Sequence, residues 1–176
     1  MSSTQSSWDL ESVYRKHCAF VWRNARRLGC DDHLADDVVH EVFLVVARRM
    51  HEFRRQASLT TWLFAITYRV VQRLFRDRAR RAQRLESYQA ERQADAAVSP
   101  HARSDAGEYL RHLLAQLNEA QRVVFILSQL EGMTSAEISG CLGVRPGTVD
   151  SRLRAARTKL TRMIERERAR ERSRVR

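Results

Sequence analysis

The sequence predicts an all-α protein built from two small helical domains joined by a flexible linker. Only 6 glycines and 2 prolines interrupt the 176 residues. Apolar residues recur at helical steps of three and four rather than in strand-like alternation. This periodicity is lost over residues 86–106, where Ala, Gln, Ser and Pro100 accumulate. A hydrophobic content of 43% is enough to give each domain a core.

Three helices are predicted before the linker. The first ends at Gly29, a residue that commonly follows the last turn of a helix. The second begins after Asp31 or Asp32. Between the second and third helices, residues 50–59 are predicted to form a loop. The predicted bounds are residues 9–28, about 32–49 and about 60–81.

The second helix is predicted to have a core face and an acidic face. Five residues follow core spacing: Leu34, Val38, Val42, Val45 and Arg49. Five others are left partly or wholly outside: Asp36, Asp37, His40, Glu41 and Phe43. An exposed phenylalanine beside acids is a candidate protein-docking site. The alternative is that Phe43 completes a wide core face.

The third helix has a stripe of arginines at steps of four and three. Its members are Arg69, Arg73, Arg76, Arg80 and Arg84. Four aromatic rings lie shortly before this helix or in its first three turns: Phe53, Trp62, Phe64 and Tyr68. These rings can stack on exposed bases, or they can pack in the core while the stripe faces water. Core packing is favoured for Trp62, since large rings at helical spacing are usually buried.

After the linker, helices over about 108–117 and 118–130 lead to a predicted helix-turn-helix at residues 134–160. Thr134 and Glu137 have the spacing of a capping box, and Gly143 follows where the first helix ends. Pro146 suits the first turn of the second helix. Its predicted core face contains Val149, Leu153, Ala156, Leu160 and Ile164. Its opposite face contains Arg145, Thr148, Ser151, Arg152, Arg154 and Arg157. This face suits phosphates and base edges in a major groove, unless the arginines only face water.

Composition favours a nucleic-acid partner. The net charge is +11 at pH 7, from 32 Lys and Arg against 21 Asp and Glu. No stretch approaches the roughly 18 consecutive apolar residues of a membrane span, and residues 1–8 lack a signal-peptide pattern, so a cytoplasmic protein is expected. The three cysteines, Cys18, Cys30 and Cys141, have no metal-ligand spacing and are expected to be buried, reduced thiols.

Taken together, three motifs resemble those of the short bacterial sigma factors of the extracytoplasmic-function (ECF) group in the sigma-70 family. They are residues 35–43 (ADDVVHEVF), residues 58–66 (SLTTWLFAI), and the segment from Glu137-Ile138 through residues 147–153 (GTVDSRL). The resemblance implies sigma domain 2 at residues 8–85 and a linker at 86–107. It further implies sigma domain 4 at 108–166, with a basic tail at 167–176.

The resemblance also implies partners and site residues, with neither a cofactor nor a metal. Docking on the β′ coiled coil of core RNA polymerase would involve Asp37, His40, Glu41 and Phe43. Promoter DNA at the −10 element would meet Phe53, Ser58, Thr60, Trp62, Arg69, Arg73 and Arg76. The −35 element would meet Arg145, Thr148, Asp150, Ser151, Arg152, Arg154 and Arg157. An anti-sigma factor is the expected inhibitor.

Four residues depart from the family pattern. His40 stands where the family usually has Gln, and Arg69 where it often has Asn. Ala155 stands where the family has an Arg before Ala-Arg, and Asp150 where a basic residue is usual. A carboxylate at position 150 can accept from a cytosine amino group, but pairing with Arg154 four residues on is the favoured interpretation.

Two other functions fit part of the sequence. Clustered carboxylates at residues 31–41 are compatible with a metal-dependent nuclease or recombinase, although acids at a helix N-terminus are favourable without any catalytic role. A stand-alone DNA-binding regulator would use the helix-turn-helix but would leave the acidic face and the arginine stripe without a role. We therefore expect a transcription initiation factor and not an enzyme.

Overall fold

The computed structural model describes residues 9–53, 58–86 and 105–174, and within these ranges it contains α-helices and no strand. The helices are α1 (Leu10–Arg27), α2 (Asp32–Arg49), α3 (Leu59–Glu86), α4 (Asp105–Ala115), α5 (Glu119–Phe125), α6 (Ser135–Leu142) and α7 (Pro146–Arg174). A 3₁₀ turn, Met50–Glu52, follows α2, and a π-helical turn, Ile126–Leu130, follows α5. The predicted all-α class is confirmed. Most of the predicted linker lies outside the described residues.

The chain forms two compact units, residues 1–101 and 102–176. In the first unit, α1, α2 and α3 pack against one another. Asp9 caps α1 by accepting from the backbone N–H groups of Glu11 and Ser12, both at 3.3 Å. Gly29, with φ of 111°, allows the turn out of α1 that a side chain would strain. Asp31 then caps α2 by accepting from Leu34 N at 2.7 Å, and this bond lowers the pKa of the Asp31 carboxyl.

The buried arc of α2 is wider than its core spacing predicted. The residues of α2 that are fully excluded from water include Val38, Val42 and Val46, whereas Val45 is only half-buried and Arg49 is exposed. Assigning Val45 and Arg49 to the core was therefore wrong. The cause is that α2 contacts α1 on one side and α3 on the other, so its apolar face must serve two neighbours.

The second unit packs α5 and α6 against α7. Its largest fully buried side chains are Leu114, Val123, Ile126, Leu127 and Ile138. Arg122 ties α5 to the end of α4, since its guanidinium donates to the carbonyls of Leu114 at 2.9 Å and Leu117 at 3.0 Å. The Leu114 carbonyl also accepts from Leu117 N at 3.1 Å, so the guanidinium adds a second bond there and supplies a donor to the Leu117 carbonyl.

Residues 165–176 alternate Arg with Glu and Ser, a pattern typical of a fraying helix or a disordered tail. The structure continues α7 as a helix through Arg174, in agreement with the helical alternative. Tyr109 on α4 donates to Glu167 at 2.7 Å, and Lys159 donates to the Gln116 carbonyl at 2.5 Å. These bonds link α7 to α4 and to the residue that follows it.

Candidate protein-docking and nucleic-acid-binding surfaces

A groove of about 430 Å³ runs between α1 and α2 in the first unit. Its lining consists of Leu10, Tyr14, Cys18, Trp22, Asp36, Val39, His40, Phe43, Leu44 and Ala47. Three of the large apolar side chains here remain exposed: Leu10 at 38%, Tyr14 at 46% and Leu44 at 40%. Exposed apolar side chains rimmed by polar ones are typical of protein interaction surfaces. We refer to this feature as the docking groove.

Phe43 is buried, with only 7% of its surface exposed. Its ring packs edge-on against Tyr14, with ring centroids 4.7 Å apart. The expectation of an exposed phenylalanine is therefore wrong, and the alternative, that Phe43 completes the core face of α2, is confirmed. One edge of the ring still lines the docking groove.

The acids beside the docking groove have different surroundings. Asp36 accepts a hydrogen bond from the Trp22 indole at 2.9 Å, which joins α2 to α1. Glu41 accepts from the Arg73 guanidinium at 2.6 Å, which joins α2 to α3. Asp37 and His40 are exposed. Of the four predicted docking residues, these two therefore present the most accessible polar groups.

The predicted −10 residues at the start of α3 form the helix terminus. Ser58 Oγ lies 2.8 Å from both the Thr60 and Thr61 hydroxyls and accepts from Thr61 N at 3.1 Å. Ser58 therefore acts as the N-cap of α3. Trp62 is half-buried, and its ring centroid lies 5.3 Å from that of Phe53. Residues 54–57 of the predicted loop lie outside the described residues.

Phe64 cannot serve as a stacking platform, because its side chain is fully buried in the first unit. The arginine stripe, in contrast, lies on the outside of α3. Arg69, Arg73, Arg76 and Arg80 are all exposed. Arg73 is bound to Glu41, and the side chain of Arg84 lies outside the described part of the helix.

The helix-turn-helix of the second unit is closed by the predicted capping box. Thr134 Oγ1 accepts from Glu137 N at 3.3 Å, and Glu137 accepts from Thr134 N at 2.8 Å. The Thr134 hydroxyl also donates to the Glu137 carboxylate at 2.9 Å, and the bonds that Thr134 N and Oγ1 donate lower the pKa of this exposed carboxyl. Gly143 ends α6 in the left-handed conformation at φ 66°, and Ser139 Oγ donates to the Val144 carbonyl at 2.6 Å. These contacts set the turn that leads into α7.

The start of α7 presents most of the predicted −35 residues to solvent. Val149, Leu153, Ala156 and Leu160 are buried, as predicted, and Ile164 is half-buried. On the other side, Arg145, Asp150, Ser151, Arg154 and Arg157 are exposed, while Thr148 and Arg152 are half-buried. A helix with this exposed cationic face is the kind that a DNA major groove admits.

Asp150 has a different partner from the one predicted. Its carboxylate accepts from Ser135 Oγ at 2.6 Å, at the first residue of α6. Among the described residues of this unit, no ion pair joins Asp150 to Arg154, so the favoured interpretation was wrong. The N-terminal end of α6 carries partial positive charge and offers a closer, already ordered partner than a long arginine side chain.

The cysteines differ in accessibility. Cys30 is buried, and burial together with the nearby Asp31 charge raises the pKa of its thiol to about 12. Cys18 and Cys141 are half-buried, so the expectation that all three are buried was wrong for these two. Cys18 lies in the docking groove.

Sequence comparison defines the class of protein. Residues 13–81 match the profile of Sigma-70 region 2, and residues 107–160 match that of Sigma-70, region 4. The chain is 31% identical to the ECF RNA polymerase sigma factor SigC of Mycobacterium tuberculosis (strain CDC 1551 / Oshkosh) over 86% of its own length and 80% of that protein. The chain thus belongs to the sigma-70 family of RNA polymerase sigma factors, in the ECF group.

Two further similarities agree with this assignment. The chain is 31% identical to the ECF RNA polymerase sigma factor SigE of Mycolicibacterium smegmatis over 88% of its length, and it spans about 60% of that relative. The fold is similar to that of the sigma factor RpoE from Bartonella quintana, solved in complex with the anti-sigma factor NepR. That similarity has a TM-score of 0.75 at 21% identity, covering 89% of this chain and 97% of the other.

Proposed function

We propose that this chain is a transcription initiation factor that binds core RNA polymerase and directs it to specific promoters. The first unit docks on the polymerase β′ coiled coil and recognises the −10 element, and the second unit recognises the −35 element. The main support is that two different surfaces occur on the two units that match Sigma-70 regions 2 and 4. One is an apolar groove edged by acids, and the other is a helix face of exposed arginines.

For polymerase docking, we propose contacts from Asp37, His40, Glu41 and Phe43. Asp37 and His40 would contribute accessible polar groups, and Phe43 would contribute the edge of its ring as part of the groove wall. Leu10, Tyr14 and Leu44 extend this set, since they are the exposed apolar side chains of the same groove. Apolar anchors surrounded by polar groups are the usual arrangement at the centre of an interface.

For promoter recognition, we propose two groups of contacts. The first, for the −10 element, consists of Phe53, Ser58, Thr60, Trp62, Arg69, Arg73 and Arg76. The second, for the −35 element, consists of Arg145, Thr148, Asp150, Ser151, Arg152, Arg154 and Arg157. Within these groups Ser58 also caps the backbone of α3, and Asp150 also joins α7 to the Ser135 hydroxyl of α6. Their substitution is therefore expected to change the geometry of the site as well as its contacts.

We further propose that an anti-sigma factor controls this chain by covering the docking groove, in competition with core polymerase. The sigma factor RpoE of Bartonella quintana, whose fold is similar, was solved with such a partner. Because the proposed partner is RNA polymerase, we expect the chain to act in the cytoplasm. Within the described ranges, none of the helices has the length and apolar character needed to cross a membrane.

Catalysis is not part of this proposal. The relatives are initiation factors rather than enzymes. Asp37 is exposed, but the other four acids of the cluster that suggested a nuclease have structural partners. Asp31 caps α2, Asp36 binds Trp22 and Glu41 binds Arg73. Asp32 forms a buried ion pair with Arg26 at 2.8 Å. Incubation of the full chain with duplex DNA and Mg²⁺ is expected to leave the DNA intact, and protein-dependent cleavage would overturn this view.

Co-purification with core RNA polymerase tests the proposed function. The variant Asp37→Arg reverses an exposed charge beside the docking groove, and Glu108→Arg makes the same charge change on α4 in the other unit. We expect the first variant to lose polymerase binding and the second to keep it. Run-off transcription from a promoter library should then recover a shared pair of elements. Failure of the folded wild-type chain to bind core polymerase would sink the proposal and leave a stand-alone regulator.

A further inference from the structure

The face of α7 that begins in the helix-turn-helix continues well beyond it. The match to Sigma-70, region 4 ends at residue 160, but α7 continues as a helix to Arg174. At 1.5 Å per residue, these extra turns add about 21 Å to the helix. The extension therefore projects past the part of the chain to which the family comparison assigns a role.

One side of α7 forms a continuous exposed stripe. Its members are Ser151, Arg154, Ala155, Thr158, Arg162 and Arg166, at steps of three, one, three, four and four. Residues three or four apart are neighbours on a helix surface, so these side chains lie on one side of α7. The first two are candidate −35 contacts, so the cations at positions 162 and 166 extend the same face.

The two outer arginines are available for a partner. Arg162 and Arg166 are exposed, and neither forms an ion pair with any described residue of the second unit. The acid Glu167 is turned away from the stripe, because it accepts a hydrogen bond from Tyr109 on α4. Lys159, at the edge of the stripe, is held by the Gln116 carbonyl. Glu165 is an exposed acid beside them, but no ion pair joins it to Arg162 or Arg166 among the described residues. Both guanidinium groups are therefore available to a further partner.

We propose that Arg162 and Arg166 bind phosphates of the duplex that flanks the element contacted by the start of α7. This inference rests on the proposed DNA contact of α7. We assign duplex DNA as the binding partner of the stripe, because the stripe is cationic and is continuous with the face proposed to enter the major groove. Arginine is well suited to phosphate, since its planar fork donates two parallel hydrogen bonds. The contacts add affinity without base specificity.

The test measures DNA binding by the full-length chain with fluorescence anisotropy. Three duplexes carry the −35 element recovered from the promoter library by run-off transcription. The first has long flanks on both sides of the element. The second lacks the upstream flank, and the third lacks the downstream flank. The variant Arg162→Gln/Arg166→Gln removes two charges from the stripe. The matched variant Arg168→Gln/Arg172→Gln removes two charges from the same final turns, starting about 120° around the helix from Arg162.

With long flanks, we expect the stripe variant to bind about tenfold more weakly near 0.1 M salt, and the slope of log K against log salt to fall by about 1.8, from two lost phosphate contacts. The matched variant should change the slope much less. Removing the flank that carries the contacted phosphates should abolish the difference in DNA affinity between the stripe variant and the wild type. The duplex on which this happens shows whether α7 extends upstream or downstream along the DNA.

Equal effects of the two variants on every duplex would overturn the proposal and indicate a general charge effect. A stripe variant that binds DNA normally but binds polymerase weakly would also overturn it, in favour of a protein partner. The variant Arg154→Ala separates this inference from the proposed function. If Arg154→Ala weakens binding to all three duplexes while the stripe variant matches wild type, only the flank contact fails. If the wild type binds none of them, even with polymerase added, the proposed function fails.

Discussion

Helices α2 and α7 both carry candidate contact residues, but they relate to the fold in different ways. In α2 two of the four candidates take part in packing: Phe43 contacts Tyr14 and Glu41 binds Arg73, while Asp37 and His40 are exposed. In α7 most candidates, including Arg154 and Arg157, are exposed. Substituting a packed residue of α2 can therefore affect both stability and binding. Most candidates of α7 can be substituted without altering the core.

Phe43→Ala is the strongest test of this difference. We expect it to lower the free energy of unfolding of the first unit by about 3–5 kcal/mol, as for other buried phenylalanines. Leu44→Ala, at the neighbouring exposed position, should cost less than about 1 kcal/mol. Urea unfolding followed by tryptophan fluorescence reports on this unit, since Trp8, Trp22 and Trp62 all lie within residues 1–101. Equal costs at the two positions would show that Phe43 is not part of the core.

Arg154→Ala should have the opposite profile. We expect it to weaken binding to the selected −35 element by about 1–3 kcal/mol, the range for a lost contact to a base edge. The unfolding free energy should change by less than about 0.5 kcal/mol, because the side chain is exposed. Anisotropy titration and urea unfolding of the same preparation check both values, with Arg168→Ala as the control. A loss of stability as large as the loss of binding would contradict the contrast between the helices.

Thr134→Ala changes an exposed residue of the second unit that does contribute to stability, because its side chain caps α6. Loss of the capping box should destabilise this unit by about 1 kcal/mol. Thermal unfolding followed by circular dichroism should show an earlier transition that tryptophan fluorescence does not report, because residues 102–176 contain no tryptophan. Thr158→Ala, at an exposed position in the middle of α7, should leave that transition in place. Identical melting of both variants would mean that the capping box contributes nothing to stability.

Exchanging the charges of the Glu41–Arg73 pair gives the smallest effect on stability. Both side chains are about half exposed, so we expect a coupling of only about 0.2–1 kcal/mol in a double-mutant cycle of Glu41→Arg and Arg73→Glu. Polymerase binding should nevertheless fall in the doubly exchanged protein, because a cation replaces one of the acids of the proposed docking face. The exchange of Asp77 and Arg80 on α3 is the control. Full polymerase binding by the Glu41–Arg73 exchange would remove Glu41 from the docking surface.

Much of the fold could be predicted because its signals are local. Gly29, Gly143 and Pro146 mark helix ends through their own backbone preferences, and the capping box of Thr134 and Glu137 is contained within four residues. The periodicity of α7 likewise predicted the residues that its neighbours bury. Such signals need no knowledge of the tertiary structure.

The remaining features depend on contacts between distant residues. Phe43 is buried because Tyr14, on another helix, covers its ring, and Asp150 is bound by Ser135 on α6. The docking groove needs both α1 and α2, so spacing along one helix could not show that Leu10 and Tyr14 would stay exposed. The one available hint was the apolar Leu44, which lies off the core spacing of α2.

The burial of Cys30 has a practical consequence for studying this protein. A thiol reacts as its thiolate, and a pKa of about 12 leaves almost none of that form near neutral pH. The half-buried Cys18 and Cys141 are then the sites where a maleimide fluorophore attaches to the native chain, one in each unit. Cys18 lies in the docking groove, so a dye there can test whether a protein binds in the groove. Replacing Cys18 or Cys141 by serine gives two singly labelled reporters, one for each unit.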